Sequence, residues 1–224
     1  MKLCDFHSHI LPAADHGSDS VQTSQAQIDI MAESGVSEVV ATPHFYAHHD
    51  TVESFLERRE EAAGKILPYA CERGVELHLG AEVLACPGME HMEGLERLCI
   101  EGTNVLLLEL PLTYWSNDLI DTVYSIGRKD MKVVMAHIDR YLDRDVSRIF
   151  EIPRLKYQIN ASSLCRFRGR RDILSLIDEG MIYALGSDFH GTKGYRDFAR
   201  AIKVMGESRA EEIFAKTEEL LRSE

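Results

Sequence analysis

The stretch Asp5-Phe6-His7-Ser8-His9-Ile10-Leu11-Pro12, continued by Ala13-Ala14-Asp15-His16-Gly17, sets two imidazoles one residue apart at the end of a short apolar run. In an extended strand, residues i and i+2 face the same way, so His7 and His9 can grip one ion together. Two surface histidines at a strand end are the plain alternative. What decides between them is the rest of the chain, where strand-length runs end again and again in residues of the same chemistry.

Those runs alternate with stretches of helical period. Strands are predicted over 2–6, 37–42, 75–83, 104–110, 132–137, 156–160 and 182–187. Ser20 can cap a first helix that Gly35 ends. Asp50 and Glu53 resemble a capping box for a second, which Pro68 kinks or splits. Further helical material is predicted at 116–128, 144–151 and 171–179, then on a stripe of Phe198, Ile202 and Met205, and near 210–221. Seven strands in alternation with helices imply an α/β fold with a parallel sheet. At this number of units a closed or nearly closed barrel is the first choice and an open doubly wound sheet the second. No linker, repeat or low-complexity tract interrupts 1–224, so one domain is expected.

Composition narrows the function classes. With 45% apolar and 28% charged residues the chain reads as an ordinary globular protein. No stretch approaches the ~18 to 20 apolar residues of a membrane span, and the opening MKLCDF lacks a signal peptide's apolar core. Five cysteines without a CxxC pair suit a reducing compartment, so the cytoplasm is expected. A formal charge of −12 argues against nucleic acid as a partner. Some of that acidity can instead serve to neutralise bound cations.

In a barrel of βα units the chemistry gathers at the C-terminal ends of the strands. Here the first strand delivers His7 and His9, the second His44, the third Glu82, the fourth Glu109, the fifth His137, and the seventh Asp188 and His190. A lone Glu in such a place is ordinarily a helix cap or an ion-pair partner. Convergence changes this, because a buried ring of carboxylates repels itself unless cations neutralise it. Imidazole with carboxylate suits Mn, Fe or Zn.

Taken in order, His7-Ser8-His9, Pro43-His44, Gly80-Ala81-Glu82, Ala136-His137-Ile138-Asp139-Arg140-Tyr141 and Ser187-Asp188-Phe189-His190 resemble the successive motifs of the PHP (polymerase and histidinol phosphatase) superfamily. The match runs from residue 5 to about 196. The DFHSHILP opening, the AEV segment and AHIDRY are most similar to the bacterial PHP-type protein-tyrosine phosphatases of capsule and exopolysaccharide clusters.

The resemblance implies a distorted (β/α)7 TIM-like barrel holding three divalent metal ions, often manganese, with iron or zinc as alternatives. By position, His7, His9 and Asp188 would bind the first ion, and Glu82 would bridge to a second completed by Glu109 and His137. His44 and His190 would hold the third, with a ligand from the first loop. That branch usually reads Asp-Asp-Gly there, whereas this chain reads Asp15-His16-Gly17; His16 is preferred to Asp15. Arg140 and Arg196 match basic positions that bind phosphate, where a guanidinium fork suits two phosphate oxygens. The implied substrate is a phosphotyrosine protein, a bacterial tyrosine kinase controlling exopolysaccharide assembly. The alternatives are a small-molecule phosphatase of the histidinol-phosphate type and a metal-binding regulatory module without turnover.

A competing signal is Cys165-Arg166-Phe167-Arg168-Gly169-Arg170-Arg171, which fits the CxxxxxR spacing of cysteine-dependent phosphatases. With 17 arginines and five cysteines in 224 residues, such a match arises readily by chance. Tyr114-Trp115 could stack on a substrate ring, with packing at the barrel rim as the simpler expectation. His48 and His49 are expected at the solvent-facing rim, His78 and His91 in structural positions.

Overall fold

The computed structural model describes residues 2–144, 146–193 and 195–222. In chain order its strands are β1 (Leu3–Ser8), β2 (Val36–Ala41), β3 (His44–Phe45), β4 (Glu76–Leu79), β5 (Glu82–Leu84), β6 (Val105–Glu109), β7 (Lys132–Met135), β8 (Lys156–Asn160) and β9 (Ile182–Gly186). The helices are α1 (Val21–Glu33), α2 (Val52–Gly64), α3 (Leu67–Glu72), α4 (Asn117–Gly127), α5 (Ser147–Phe150), α6 (Ala161–Cys165), α7 (Arg170–Asp178), α8 (Arg196–Met205) and α9 (Glu207–Leu221). Every ladder is parallel. Strands such as β6, VLLLE, are buried on both faces, which is why they read as unbroken apolar runs rather than alternating ones.

The strands form a distorted β/α barrel in two hydrogen-bonded sets, β1-β2-β4 and β3-β5-β6-β7-β8-β9. The predicted strand 75–83 is thus two strands, β4 and β5, broken at Gly80-Ala81, and the second predicted strand resumes as β3 after Thr42-Pro43. Pro43 has no N–H to offer the ladder. Side by side, the two breaks stay stitched by Gly80 N donating to Ala41 O (2.9 Å) and Glu82 N to Pro43 O (3.1 Å). On the other side the ring closes where Asp188 N donates to His7 O (2.8 Å) and His9 N to Phe189 O (3.2 Å).

Local rules explain the helices. Ser20 caps α1 by accepting from Thr23 N, and Gly35 follows its end at φ +82°, a conformation cheap only for glycine. The cap of α2 differs from expectation. Thr51 and Ser54 form the capping box, while Asp50 pairs with Arg58 across one face of the helix (2.9 Å). Pro68 opens α3 in its first turn, where a missing N–H costs nothing. The predicted helix 144–151 is short, α5, and its residue 145 lies outside the described residues. Phe198 and Met205 of α8 are buried, and Ile202 packs on the core beside them. No helix among the described residues is long and apolar enough to cross a membrane.

Candidate metal centre

At the C-terminal mouth of the barrel the strand ends bring imidazoles and carboxylates together. His7 lies in β1 and His9 just beyond it, His44 opens β3, Glu82 opens β5 and Glu109 ends β6. His137 follows β7 and Asp188 follows β9, each in the left-handed region at φ +34° and +54°. Such a backbone costs a non-glycine residue about 1–3 kcal/mol, and it recurs where function dictates side-chain direction. Four overlapping sets of donor atoms each lie within 4.8 Å of one another: His9, His44 and His190; His7, His9 and Asp188; His7, Glu82 and His137; His44, Glu82 and Glu109. His7, His9, Glu82 and His137 are essentially inaccessible to solvent.

Four of the imidazoles have their outward nitrogen anchored. His7 Nδ1 donates to Gln158 Oε1 (3.3 Å), His9 Nδ1 to Asp15 Oδ2 (2.7 Å) and His190 Nδ1 to Asp188 O (2.9 Å). His137 Nδ1 donates to the Tyr141 hydroxyl (3.3 Å), which itself donates to Leu110 O (2.7 Å). This holds each ring so that its Nε2 points inward, the orientation ligating histidines require. His7 and His9 then face each other Nε2 to Nε2 at 3.1 Å, a contact two lone pairs tolerate only with a proton or a cation between them.

The buried polar atoms without a hydrogen-bond partner include Glu82 Oε2, His44 Nδ1 and His190 Nε2. His44 Nδ1 lies 2.9 Å from Glu82 Oε2 without hydrogen-bond alignment. Orphaned atoms of this kind are costly unless something else satisfies them. The donor set of nitrogen and carboxylate oxygen therefore fits divalent ions of the Mn, Fe, Zn type.

Charge within the cluster is strongly coupled. Burial alone would raise the Glu82 carboxyl, but the His7 charge, the hydrogen bond with His137 and the close approach of His44 outweigh it and hold it well below the carboxylate range. Asp188 behaves likewise: burial opposes ionisation, and His9, His7 and Arg140 win. His137 would be depressed by burial, yet hydrogen bonds with Glu109 and Glu82 raise it to about 9.

Arg140 leans over this cluster. It donates through Nη2 to Asp188 Oδ2, lies 3.8 Å from Glu109 and places Nη1 3.2 Å from His137 Nε2. Above it opens a cavity of about 310 Å³ lined by Arg140, Asn160, Arg166, Asp188, His190 and Lys193, among others. Arg196 is not part of that lining; it is an exposed residue at the start of α8. His16 stacks on His44 (4.9 Å between ring centroids, 8° between planes) and lies 4.7 Å from His190, but contributes to none of the four donor sets. Asp15 is engaged with both oxygens, accepting from His9, from Gly17 N (2.8 Å) and from His44 N (3.1 Å).

Several contributors escape a reading of the sequence. Gln158 and Asn160, two apart on β8, face the centre from a strand that carries no candidate ligand. Gln158 Oε1 also accepts from His137 N (2.6 Å), and Asn160 Nδ2 donates to Asp188 Oδ2 (3.0 Å). The signal was two amides at i and i+2 in an apolar strand. Buried Asp5 ties β1 to the last loop, accepting from Ser187 N (2.8 Å) and Tyr195 Oη (3.0 Å), and burial lifts its carboxyl to about 6. Gly17 and Gly186 press against His9 and His7, where a Cβ would stand 2.1 and 2.6 Å from the histidine Cβ atoms.

Elsewhere, Cys165 Sγ contacts Asp197 O (3.5 Å), and burial together with the Asp197 charge pushes the thiol up, the reverse of what a thiolate nucleophile needs. Trp115 packs edge-on against Tyr141, whereas Tyr114 is exposed.

Residues 3–221 match the family model described as "Capsular polysaccharide synthesis, CpsB/CapC". Tyrosine-protein phosphatase YwqE of Bacillus subtilis is 26% identical over 211 residues, 85% of this chain and 78% of that protein. Tyrosine-protein phosphatase CpsB of Streptococcus agalactiae is 23% identical over 235 residues, with 95% of each covered. A crystal structure from work on YwqE of Bacillus subtilis and CpsB of Streptococcus pneumoniae, described as unique metal-dependent tyrosine phosphatases, superposes with a TM-score of 0.83 at 20% identity. The superposition covers 99% of this chain and 95% of that one. With its model spanning nearly the whole sequence and the same fold in a solved relative, the chain belongs to the CpsB/CapC family of capsular polysaccharide synthesis.

Proposed function

We propose that this protein is a metal-dependent protein-tyrosine phosphatase, working as a single unit over 1–224 in the cytoplasm on a tyrosine kinase that controls exopolysaccharide assembly. The observation that carries this reading is the convergence of histidine and carboxylate donors beneath a guanidinium at the open end of the barrel. His7, His9 and Asp188 would hold one divalent ion, Glu82, Glu109 and His137 a second, and His44 and His190 a third with His16 beside them. Manganese is the favoured metal. Bound ions of this kind supply Lewis acidity and a water acidic enough to attack phosphorus near neutral pH.

The chain's own residues do the rest. Gln158, Asp15 and Tyr141 keep the Nδ1 protons of His7, His9 and His137 turned outward, so that the inward nitrogens remain donors. Arg140, already against Asp188 and Glu109, is placed to bind two equatorial phosphoryl oxygens and the charge that grows on them. Arg166 and Lys193 extend that positive wall, and Arg196, exposed at the start of α8, is the second arginine assigned to phosphate. A phenolate of pKa ~10 is a competent leaving group and needs little help from a general acid.

The test is hydrolysis of p-nitrophenyl phosphate, a phosphotyrosine peptide and histidinol phosphate with Mn²⁺, with and without chelator. The expected result is peptide and aryl turnover lost to EDTA, restored by Mn²⁺ and retained in Cys165→Ser. Preference for histidinol phosphate would move the protein to the small-molecule branch. Chelator-resistant activity that dies with Cys165→Ser would overturn the metal mechanism. Metal binding without turnover of any substrate would leave a regulatory module.

A further inference from the structure

Beside the cavity over the metal cluster runs a second, larger hollow of about 560 Å³, and the two share Asp139, Arg140 and Arg166 as a common wall. Arg168, Ile173, Leu112 and Leu142 line it as well. The volume falls within the range of ligand clefts. The loop that supplies its arginines is braced from within: Arg170 donates through Nε to Leu164 O (2.7 Å) and Arg166 O (3.1 Å), and through Nη2 to Cys165 O (3.1 Å). Its guanidinium also lies 4.8 Å from the Phe167 ring centroid. Gly169, at φ +78°, turns the chain into α7.

This bracing leaves Arg166 and Arg168 projecting. Both are exposed, and neither forms an ion pair among the described residues, although Asp143 and Asp172 also line the hollow. Some surface arginines, such as Arg58, Arg97 and Arg209, are paired with carboxylates, while Arg128, Arg144 and Arg148 donate to neutral oxygens. In a chain with 37 acidic residues and a charge of −12, Arg166 and Arg168 bring positive charge not neutralised by an ion pair to the edge of the site. Phe167, exposed to 89%, and Leu112, to 58%, add apolar surface at the same rim.

We infer that this hollow seats the residues flanking the phosphotyrosine of the substrate and selects acidic ones, with Arg168 reading their charge and Leu112 their aliphatic carbons. The inference rests on phosphotyrosine hydrolysis at the neighbouring cavity. Arg168 touches only the second hollow, so its role separates from phosphate binding.

The experiment compares kcat/KM on phosphotyrosine peptides flanked by Glu and Asp with the same peptides flanked by Gln or Lys, in wild type, Arg168→Glu and Arg168→Gln. Activity on p-nitrophenyl phosphate serves as the control for fold and site. Wild type should favour the acidic peptide by about tenfold, and added salt should shrink the preference. Arg168→Glu should abolish it while aryl phosphate turnover stays within about twofold, and Arg168→Gln should fall between, as a charge effect requires. Equal turnover of acidic and neutral peptides by wild type, or an unchanged preference in Arg168→Glu, would overturn the inference while leaving the phosphatase reading standing. Stronger inhibition of peptide turnover by a single-stranded oligonucleotide than by an unphosphorylated acidic peptide would assign the hollow to nucleic acid and overturn it too. Failure on every phosphotyrosine and aryl substrate would instead sink the functional reading beneath it.

Discussion

Replacing Gln158 by leucine, nearly equal in size, asks whether β8 holds the metal ligands in place. Two buried donors lose their acceptor: the His137 backbone N–H, now 2.6 Å from Gln158 Oε1, and His7 Nδ1, 3.3 Å from it. A buried donor left unpaired costs about 1–3 kcal/mol, so the pair predicts a loss of about 2–6 kcal/mol in the metal-free protein. His7 has one escape, which is to move its proton to Nε2, but that occupies the lone pair turned toward the cluster. Loss of such an orienting partner typically weakens metal binding by about 10- to 100-fold. Urea denaturation of the apoprotein measures the first quantity, and competition with a chromophoric chelator the second. A variant within about 0.5 kcal/mol of wild type, the spread of ordinary surface substitutions, with unchanged metal affinity would refute the claim that Gln158 orients His7 and His137.

Arg140→Ala should keep its metal and lose about 1.5–3 kcal/mol of transition-state binding, roughly 10- to 150-fold in kcat/KM on aryl phosphate; a change below twofold would misplace the phosphate. Because His137 is raised to about 9 in the metal-free protein, its proton must leave when Nε2 takes an ion, so metal affinity should climb with pH by up to about tenfold per unit until about 9 and then level. By the same shift, the apoprotein carries a stability increment that is full below about 6.5 and lost as pH rises through about 9, measurable by denaturation at several pH values. Gly17→Ala should displace the first loop, since its Cβ would stand 2.1 Å from His9 Cβ, costing about 1–3 kcal/mol with weakened metal binding. Gly64→Ala, on a helix with nothing within 4 Å, should stabilise by about 0.5–1 kcal/mol in urea denaturation.

The alternation of apolar runs and helical stretches was enough to expect the barrel, because a parallel strand buried on both faces leaves an unbroken apolar signature. The ligand-type residues were legible for a related reason: imidazoles and carboxylates at the ends of such runs have no role in the core. What stayed hidden depends on distance between segments remote in sequence. Gln158 looks like any strand amide until His7, 151 residues away, is seen to donate to it. Gly80-Ala81 gave no sign of ending a strand, since the break exists only beside the matching one at Pro43. Thr51 displaced Asp50 as a cap because Arg58, one helical face away, claims the Asp50 carboxylate. Arg196 follows a motif closely enough in sequence, yet where its side chain goes depends on how the chain enters α8.

The seam that closes the barrel is made of the same residues that would grip the first ion. His7 and His9 come from the first strand, Asp188 from just past the last, and the backbone bonds joining them are the stitches between the two ends of the ring. An ion held by these three would act as a removable clasp around a loop of roughly 180 residues. If it constrained the chain as fully as a covalent link, closing such a loop would be worth about 5 kcal/mol by the disulfide relation. Loading and barrel closure then become one event, with the terminal strand pair the last to lock and the first to open. Hydrogen exchange at the amides of His9 and Asp188 should therefore slow on adding metal far more than exchange in β6 and β7 at the opposite wall.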